Sequence, residues 1–322
     1  MGCGFPPYTA IDLARRFPKV DFIGADPSFG KYTITDQEGN YACINEDGSL
    51  KYLQQGNVSN SQWTDVFKNL EVTKQWFSEM FLRLEKQLPD QESKESFEEF
   101  QGGGQTIVRN PLRKFTSANL HFVQQGIGSD VFPKDLDMIR CMNVLLYFDP
   151  AFRKNALSWA SRHLKEEGLF ICGLNYAESL NCRFSVYQKQ DGIMRFREFA
   201  LSIENIRPMQ IVPYFAFRNE DFEQDQLMEH VALIRRNADF MKIFNSTFDK
   251  LLELHGVCKR KMDGYLGMSD TSLPRGVLQL NMVKACRPLA KELFGAAVKV
   301  LKDNGRKAWV NEIGFIAVGD LD

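Results

Sequence analysis

Asp137-Met138-Ile139-Arg140-Cys141-Met142-Asn143-Val144, the stretch Pro150 to Leu164, Glu166-Glu167-Gly168 and Leu169-Phe170-Ile171-Cys172-Gly173-Leu174-Asn175 together decide the fold class. The first and last runs are short and apolar, the composition of strands buried on both faces. Between them Phe152, Ala156, Leu157 and Ala160 recur on one face of a helix, and Glu166-Glu167-Gly168 reads as a turn and helix stop. Strand, helix, glycine, strand is a βαβ unit, whose two strands run parallel.

The same rhythm extends outward. Upstream, Leu120 to Gln124 reads as a strand followed by the loop Gly126-Ile127-Gly128-Ser129-Asp130. Further upstream, Val20 to Asp26 is a short strand that ends in an acid and is broken by Pro27 and Ser28. It is preceded by the glycine turn Gly2-Cys3-Gly4 and by a helix with Ile11, Leu13, Ala14 and Phe17 at roughly helical spacing, which Thr9 is placed to cap. Downstream, Phe184 to Tyr187 and Met194 to Ile203, separated by Gln190-Asp191-Gly192, predict a hairpin. The alternation predicts an α/β fold with a mostly parallel sheet and helices on both faces.

Residues from about 32 to 115 interrupt this pattern. Tyr32 to Gln54, with turns at Glu38-Gly39-Asn40 and Glu46-Asp47-Gly48, predicts a β-meander, and Trp63 to Leu88 predicts an amphipathic helix or helix pair. Glu92 to Phe100 is acidic, and Gly102-Gly103-Gly104 reads as a flexible break. The segment is expected to be an inserted cap on the core. Beyond about residue 215, helical spacing dominates from Asp221 to His255 and from Pro288 to Lys302, with Asn304-Gly305 as a stop and Ala308 to Val318 as a closing strand. The expected organisation is a core over 1–214 and a mainly helical region over 215–322.

Composition narrows the function classes. The 322 residues are 44% apolar and 25% charged, with 40 basic against 41 acidic side chains, so the chain lacks the charge excess of a nucleic-acid binder. No apolar run is long enough to span a membrane and no signal-peptide pattern opens the chain, so no membrane partner and a cytoplasmic location are expected. Seven scattered cysteines without a C-x-x-C pair suit a reducing compartment, and four isolated histidines (His121, His163, His230, His255) give no metal-ligand spacing; no metal is expected. A glycine turn at a helix start lets a ligand approach the backbone and meet unpaired N–H groups, while an acid at the end of the next strand suits a ribose diol. Gly2 and Gly4 with Asp26 form that pair, and the loops at Ile127-Gly128 and Cys141-Met142-Asn143 follow presumed parallel strands at the same sheet edge.

Gly2-Cys3-Gly4-Phe5-Pro6-Pro7 with Gly24-Ala25-Asp26-Pro27 resembles the first two motifs of the class I S-adenosylmethionine-dependent methyltransferases. Asp137 to Phe148, with Leu164 to Phe170, is similar to their fourth- and fifth-strand motifs, in the form seen in chemotaxis receptor methyltransferases. The resemblance covers residues 1–35 and 117–205 and implies a Rossmann-like sheet and S-adenosylmethionine as cofactor. It implies that Gly2, Cys3 and Gly4 meet the methionine moiety, that Asp26, next to Pro27, meets the ribose, and that Ile127 and Gly128 lie near the adenine. Cys141, Met142 and Asn143 would line the floor beside the sulfonium. Asn143, Tyr176 and Glu178 are the candidates for catalysis or acceptor contact, with Asp130 and Tyr147 as further positions for a base.

Three departures stand out. Pro6 replaces the family's third glycine, and Met142 replaces the arginine before the asparagine of the chemotaxis-type motif, a departure from receptor-glutamate methylation. The family's first strand directly precedes the first glycine, where this chain has Met1; either residues upstream of Met1 supply it or another segment, such as Gly314 to Val318, fills the slot. The expected acceptor is a small molecule, with a protein as the alternative. A non-catalytic binding or regulatory module and a nicotinamide-dependent oxidoreductase are the competing readings, the latter weakened by Pro6 and by the lack of a proton-donor constellation.

Overall fold

The computed structural model describes residues 2–4, 7–37, 41–54, 70–87, 98–176, 181–206, 222–254 and 292–319. Expected turns and helix ends at 38–40, 63–69, 88–97, 255 and 288–291 lie outside them. The chain forms two compact units, Met1–Ser129 and Asp130–Asp322.

In the first unit, helix α1 spans Tyr8–Arg16. Its N-cap is Pro7, whose carbonyl accepts the Ile11 N–H at 3.1 Å; Thr9, expected as the cap, already lies inside the helix. The C-terminal end is closed by a remote side chain. Asn119 donates its amide to the carbonyls of Ala14 (3.1 Å), Phe17 (3.3 Å) and Val20 (3.1 Å), satisfying acceptors that a helix end leaves open. Strand β1 (Phe22–Ala25) follows and pairs in parallel with β7 (Leu120–Val123), Phe22 opposite Leu120 and Ala25 opposite Val123.

The insertion between those strands is an antiparallel sheet of order β4-β3-β2-β6-β5, formed by β2 (Tyr32–Thr35), β3 (Tyr41–Ile44), β4 (Leu50–Gln54), β5 (Glu99–Gly102) and β6 (Gln105–Arg109). The meander β2-β3-β4 is as the alternation predicts. The Gly102-Gly103-Gly104 stretch is not a flexible break. Gly102 pairs with Gln105, and Gly103 (φ +58°) with Gly104 (φ +77°) make a two-residue hairpin turn of the kind that requires left-handed backbone at both positions. Helix α2 (Leu70–Gln87) sends Met80 and Phe81 onto Ile34, Ala42, Ile44 and Ile107, a small core of its own.

The second unit holds a sheet of order β12-β13-β11-β10-β9-β8. Strands β8 (Leu136–Met142) and β9 (Leu164–Tyr176) are parallel and joined by α3 (Pro150–His163), the expected βαβ unit. Asp149 caps α3 by accepting the Phe152 N–H at 2.7 Å, and Pro150 opens the first turn. The Glu166–Gly168 turn is a kink within continuous β9: Glu167 is left-handed (φ +66°) and the register jumps from Leu136 opposite Leu164 to Met138 opposite Leu169.

The remaining pairs of this sheet are antiparallel, so the expectation of a mostly parallel sheet is corrected. The connections explain it. Only four residues, 177–180, separate β9 from β10 (Asn181–Gln190), too few for the crossover that parallel neighbours need. β11 (Ile193–Leu201) follows β10 through the turn Asp191-Gly192, both residues left-handed. β13 (Ile316–Gly319) lies between β11 and β12 (Ala308–Val310), separated from β8 by three strands; Gly314 to Val318 therefore does not fill a slot beside β8.

Helices α4 (Phe222–Arg236), α5 (Ala238–Phe244) and α7 (residues 292–303) share one core with the sheet, in which Leu227, Val231, Ile234, Phe240, Phe244, Leu293 and Leu301 meet Phe199, Leu201 and Ile316. A single π-helical turn, Asn245–Asp249, joins α5 to α6 (Lys250–Leu254). α3 and α4 meet through a buried ion pair. Arg153 donates to both carboxylate oxygens of Glu223, which also accepts from Ser185 Oγ at 2.7 Å, and Arg153 donates to Tyr187 Oη at 3.1 Å. The guanidinium lies 5.0 Å from the Phe222 ring, and its charged state is held by the adjacent carboxylate against the effect of burial. No described helix is long and apolar enough to cross a membrane.

Candidate cofactor site

In the first unit, the residues expected to hold the methionine and ribose ends come together around one carboxylate. Asp26 is 8% exposed at the end of β1. Its Oδ2 accepts the Gly4 N–H at 2.9 Å, and its Oδ1 accepts the Ser28 N–H at 2.9 Å and the Ser28 hydroxyl at 2.6 Å. Cys3 N–H donates to the Ala25 carbonyl at 3.3 Å, tying the glycine turn to the strand end. The carboxylate thus faces the glycine turn. A carboxylate offers about four acceptor directions, and three donors are in place, so capacity remains for a hydroxyl.

The glycines act in two ways. At Gly24 a Cβ would lie 2.5 Å from the Phe122 ring, so close strand packing demands glycine there. Gly2 (φ +66°), Gly4 (φ +62°) and Gly128 (φ +95°) are left-handed, and a Cβ at Gly4 or Gly128 would meet nothing within 4 Å. The backbone of Gly4 and Gly128 borders open space, which is what close approach of a ligand needs. Gly126 packs on exposed Pro27, with 3.5 Å between the Pro27 ring and the glycine's Cβ position, bringing the loop that carries half-buried Ile127 and exposed Gly128 beside the Asp26 loop. Gln125 Oε1 is buried with no partner among the described residues, an acceptor to which an amino group such as that of adenine is complementary. These residues fit a nucleoside-containing group.

In the second unit, β8 ends in Cys141, Met142 and Asn143. Cys141 is fully buried and its thiol is pushed up to about 11, chiefly by burial. Met142 is buried, opposite Gly173. Asn143 is exposed and left-handed (φ +60°). Its backbone N–H donates to the Gly173 carbonyl at 2.8 Å, its amide donates to the Asn175 carbonyl at 2.9 Å, and its Oδ1 accepts the Asn175 N–H at 2.7 Å. The amide therefore braces the ends of β8 and β9 against each other, a positioning task. Tyr176 ends β9 opposite Asn181, and Asp130 is exposed; Glu178 and the Tyr147 side chain lie outside the described residues.

Sequence reading missed Ser28 as a partner of Asp26 and missed Gln125; it expected the stretch from Asn175 to Glu178 at the acceptor, and Asn175 instead holds Asn143. Ser28 was detectable, because a serine two residues after an aspartate is a common turn in which the acid accepts from it. Asn175 carried no such signal, since its backbone and not its side chain holds Asn143.

No curated protein matches the chain. Residues 68–193 match the family described as CheR methyltransferase, SAM binding domain, a stretch that includes Ile127, Gly128 and Cys141 to Asn143 but begins after Asp26. That domain is one that binds S-adenosylmethionine, and residues 68–193 of the chain are similar to it, in keeping with the resemblance to the class I S-adenosylmethionine-dependent methyltransferases of the chemotaxis-receptor kind.

Proposed function

We propose that the chain binds S-adenosylmethionine through Gly2, Cys3, Gly4, Asp26, Pro27, Ile127 and Gly128, with Cys141, Met142 and Asn143 as further contacts, and transfers its methyl group to a small-molecule acceptor. The observation that carries the cofactor reading is the Asp26 carboxylate, buried and turned onto the Gly4 N–H at 2.9 Å with acceptor capacity to spare. The cofactor supplies an electrophilic methyl carbon on a sulfonium. The residues of the chain hold the ribose at Asp26, receive the adenine amine at Gln125 Oε1, and orient the reacting partners while keeping water away. Asn143 keeps the β8 end in register with β9, and Tyr176 and Glu178 are the proposed acceptor contacts.

The small-molecule reading is supported by Met142. A buried thioether stands where the chemotaxis-type motif has arginine, and it offers no charge to an acceptor carboxylate. The second reading, a protein acceptor, draws on the matched family, whose members act on proteins. Incubating the chain with methyl-tritiated S-adenosylmethionine and cell extract separates them: label in the low-molecular-weight filtrate is expected, and label confined to precipitated protein favours the second reading. Calorimetric binding of S-adenosylhomocysteine but not NAD is expected, and the reverse would end the methyltransferase reading for this site.

A further inference from the structure

The insertion in the first unit ends its β3 strand in a turn that touches both loops proposed to hold the nucleoside. Gln124, which follows β7 and opens the Gln124–Gly128 loop, donates its side-chain amide to Asn45 Oδ1 at 3.1 Å. The neighbouring Glu46 pairs with Lys31, at the end of the loop that begins with Asp26. That loop lies directly on β3: a Cβ at Gly30 would stand 2.7 Å from both the backbone nitrogen and the carbonyl oxygen of Ile44. One turn therefore fastens the acid loop on one side and the glycine loop on the other.

The turn is built to hold that position. Asn45 N–H donates to the Ser49 carbonyl at 2.9 Å, Gly48 N–H returns to the Asn45 carbonyl at 3.1 Å, and Asn45 Nδ2 reaches Ser49 Oγ at 3.2 Å. Asp47 accepts from both the Ser49 N–H (2.9 Å) and its hydroxyl (2.6 Å). With its amide nitrogen already engaged by Ser49, Asn45 presents its oxygen to Gln124 in a fixed direction. Gly48 is left-handed (φ +79°), the conformation that closes so tight a turn.

We infer that the β3–β4 turn sets the spacing of the two nucleoside-bearing loops, with Asn45 as a positioning residue for the adenosyl end of the cofactor. The inference rests on the cofactor reading above. It gives the insertion a role in cofactor affinity, separate from any contact with the acceptor. Asn45 does not touch the cofactor; it acts through Gln124 and the loop to Gly128.

The test uses the full chain and S-adenosylhomocysteine in calorimetry. Asn45→Ala loses the bonds to Gln124 and Ser49, and because only the Gln124 bond reaches the glycine loop it is expected to raise Kd by about three- to tenfold. Asn45→Asp keeps an acceptor oxygen for Gln124 but loses the Nδ2 donor to Ser49 Oγ, and is expected to bind more tightly than Asn45→Ala. Gln124→Ala is expected to weaken binding as Asn45→Ala does, with no further loss in the double variant, because both remove the same contact. Should Asn45→Ala fail to fold by circular dichroism, Gln124→Ala, at an exposed side chain, carries the test. Wild-type Kd in both alanine variants, or additive losses in the double variant, overturns the inference. Asp26→Ala distinguishes the two levels: if it abolishes binding while the other variants bind normally, only the role of the turn falls, and if it binds normally the cofactor reading falls too.

Discussion

Asn143 combines two features that a single substitution can separate. Its backbone is left-handed, and its side chain makes two hydrogen bonds to Asn175. Asn143→Ala removes both bonds and leaves a β-carbon in a conformation it disfavours, so the expected loss of stability is about 2–4 kcal/mol, read from urea unfolding. Asn143→Gly relieves the backbone and loses only the bonds, so it should be the milder change. Equal effects would show that the left-handed backbone carries no weight. At this scale one contact of the candidate site was legible: the acid expected at the end of β1 faces the expected glycine turn, Asp26 accepting the Gly4 N–H. What Asn143 touches was not legible, because its partner is a backbone brought close only by the parallel pairing of β8 and β9.

Between elements, the Arg153–Glu223 pair joins α3 to α4 over Ser185 and Tyr187. Both side chains are nearly out of solvent, at 13% and 4% exposure, so removing one leaves the other charged and buried. Glu223→Ala is expected to cost about 3–5 kcal/mol in chemical unfolding, and a double replacement by Arg153→Met with Glu223→Leu should be far less harmful. A loss in the double variant as large as in the single one would contradict this account. Periodicity revealed the individual strands and helices well, including β8, α3, β9 and the β10–β11 hairpin. It could not reveal pairing direction, which is set by the length of the connections, nor distinguish Gly103-Gly104 as a hairpin turn from a loose linker, since glycine serves both.

Across the whole molecule, the C-terminal helices and β13 complete the core of the second unit, with Phe199, Leu201 and Ile316 buried against Leu227, Ile234, Phe244 and Leu301. Ending the chain at residue 214 would expose that face and remove the strand paired with β11, so the truncated chain is expected to lose cooperative thermal unfolding; a cooperative melt would show that the core closes without it. Stability should also fall at both ends of the pH scale. Burial pushes the thiols of Cys43 and Cys141 up to about 11 and that of Cys182 up to about 12, from an ordinary 9.0. Their contribution is intact below pH 9.0, where folded and unfolded thiols are both protonated, and is lost as pH rises toward 11 and the unfolded chain ionises first. His230 behaves in the opposite sense. Burial lowers its pKa from 6.5, and neither ring nitrogen has a partner among the described residues, so stability is expected to drop as pH falls below 6.5. Thermal midpoints measured from pH 5 to 11 check both arms, with His230→Phe flattening the acid arm and Cys141→Ala reducing the alkaline one.

The salt link between Arg153 and Glu223 also constrains how this sequence can drift. Neither position tolerates neutralisation by itself, yet a matched apolar couple is compatible with the fold, so lineages should keep the two together or exchange them together. Sequences carrying only one half of that couple are expected to be rare among functioning descendants of this chain.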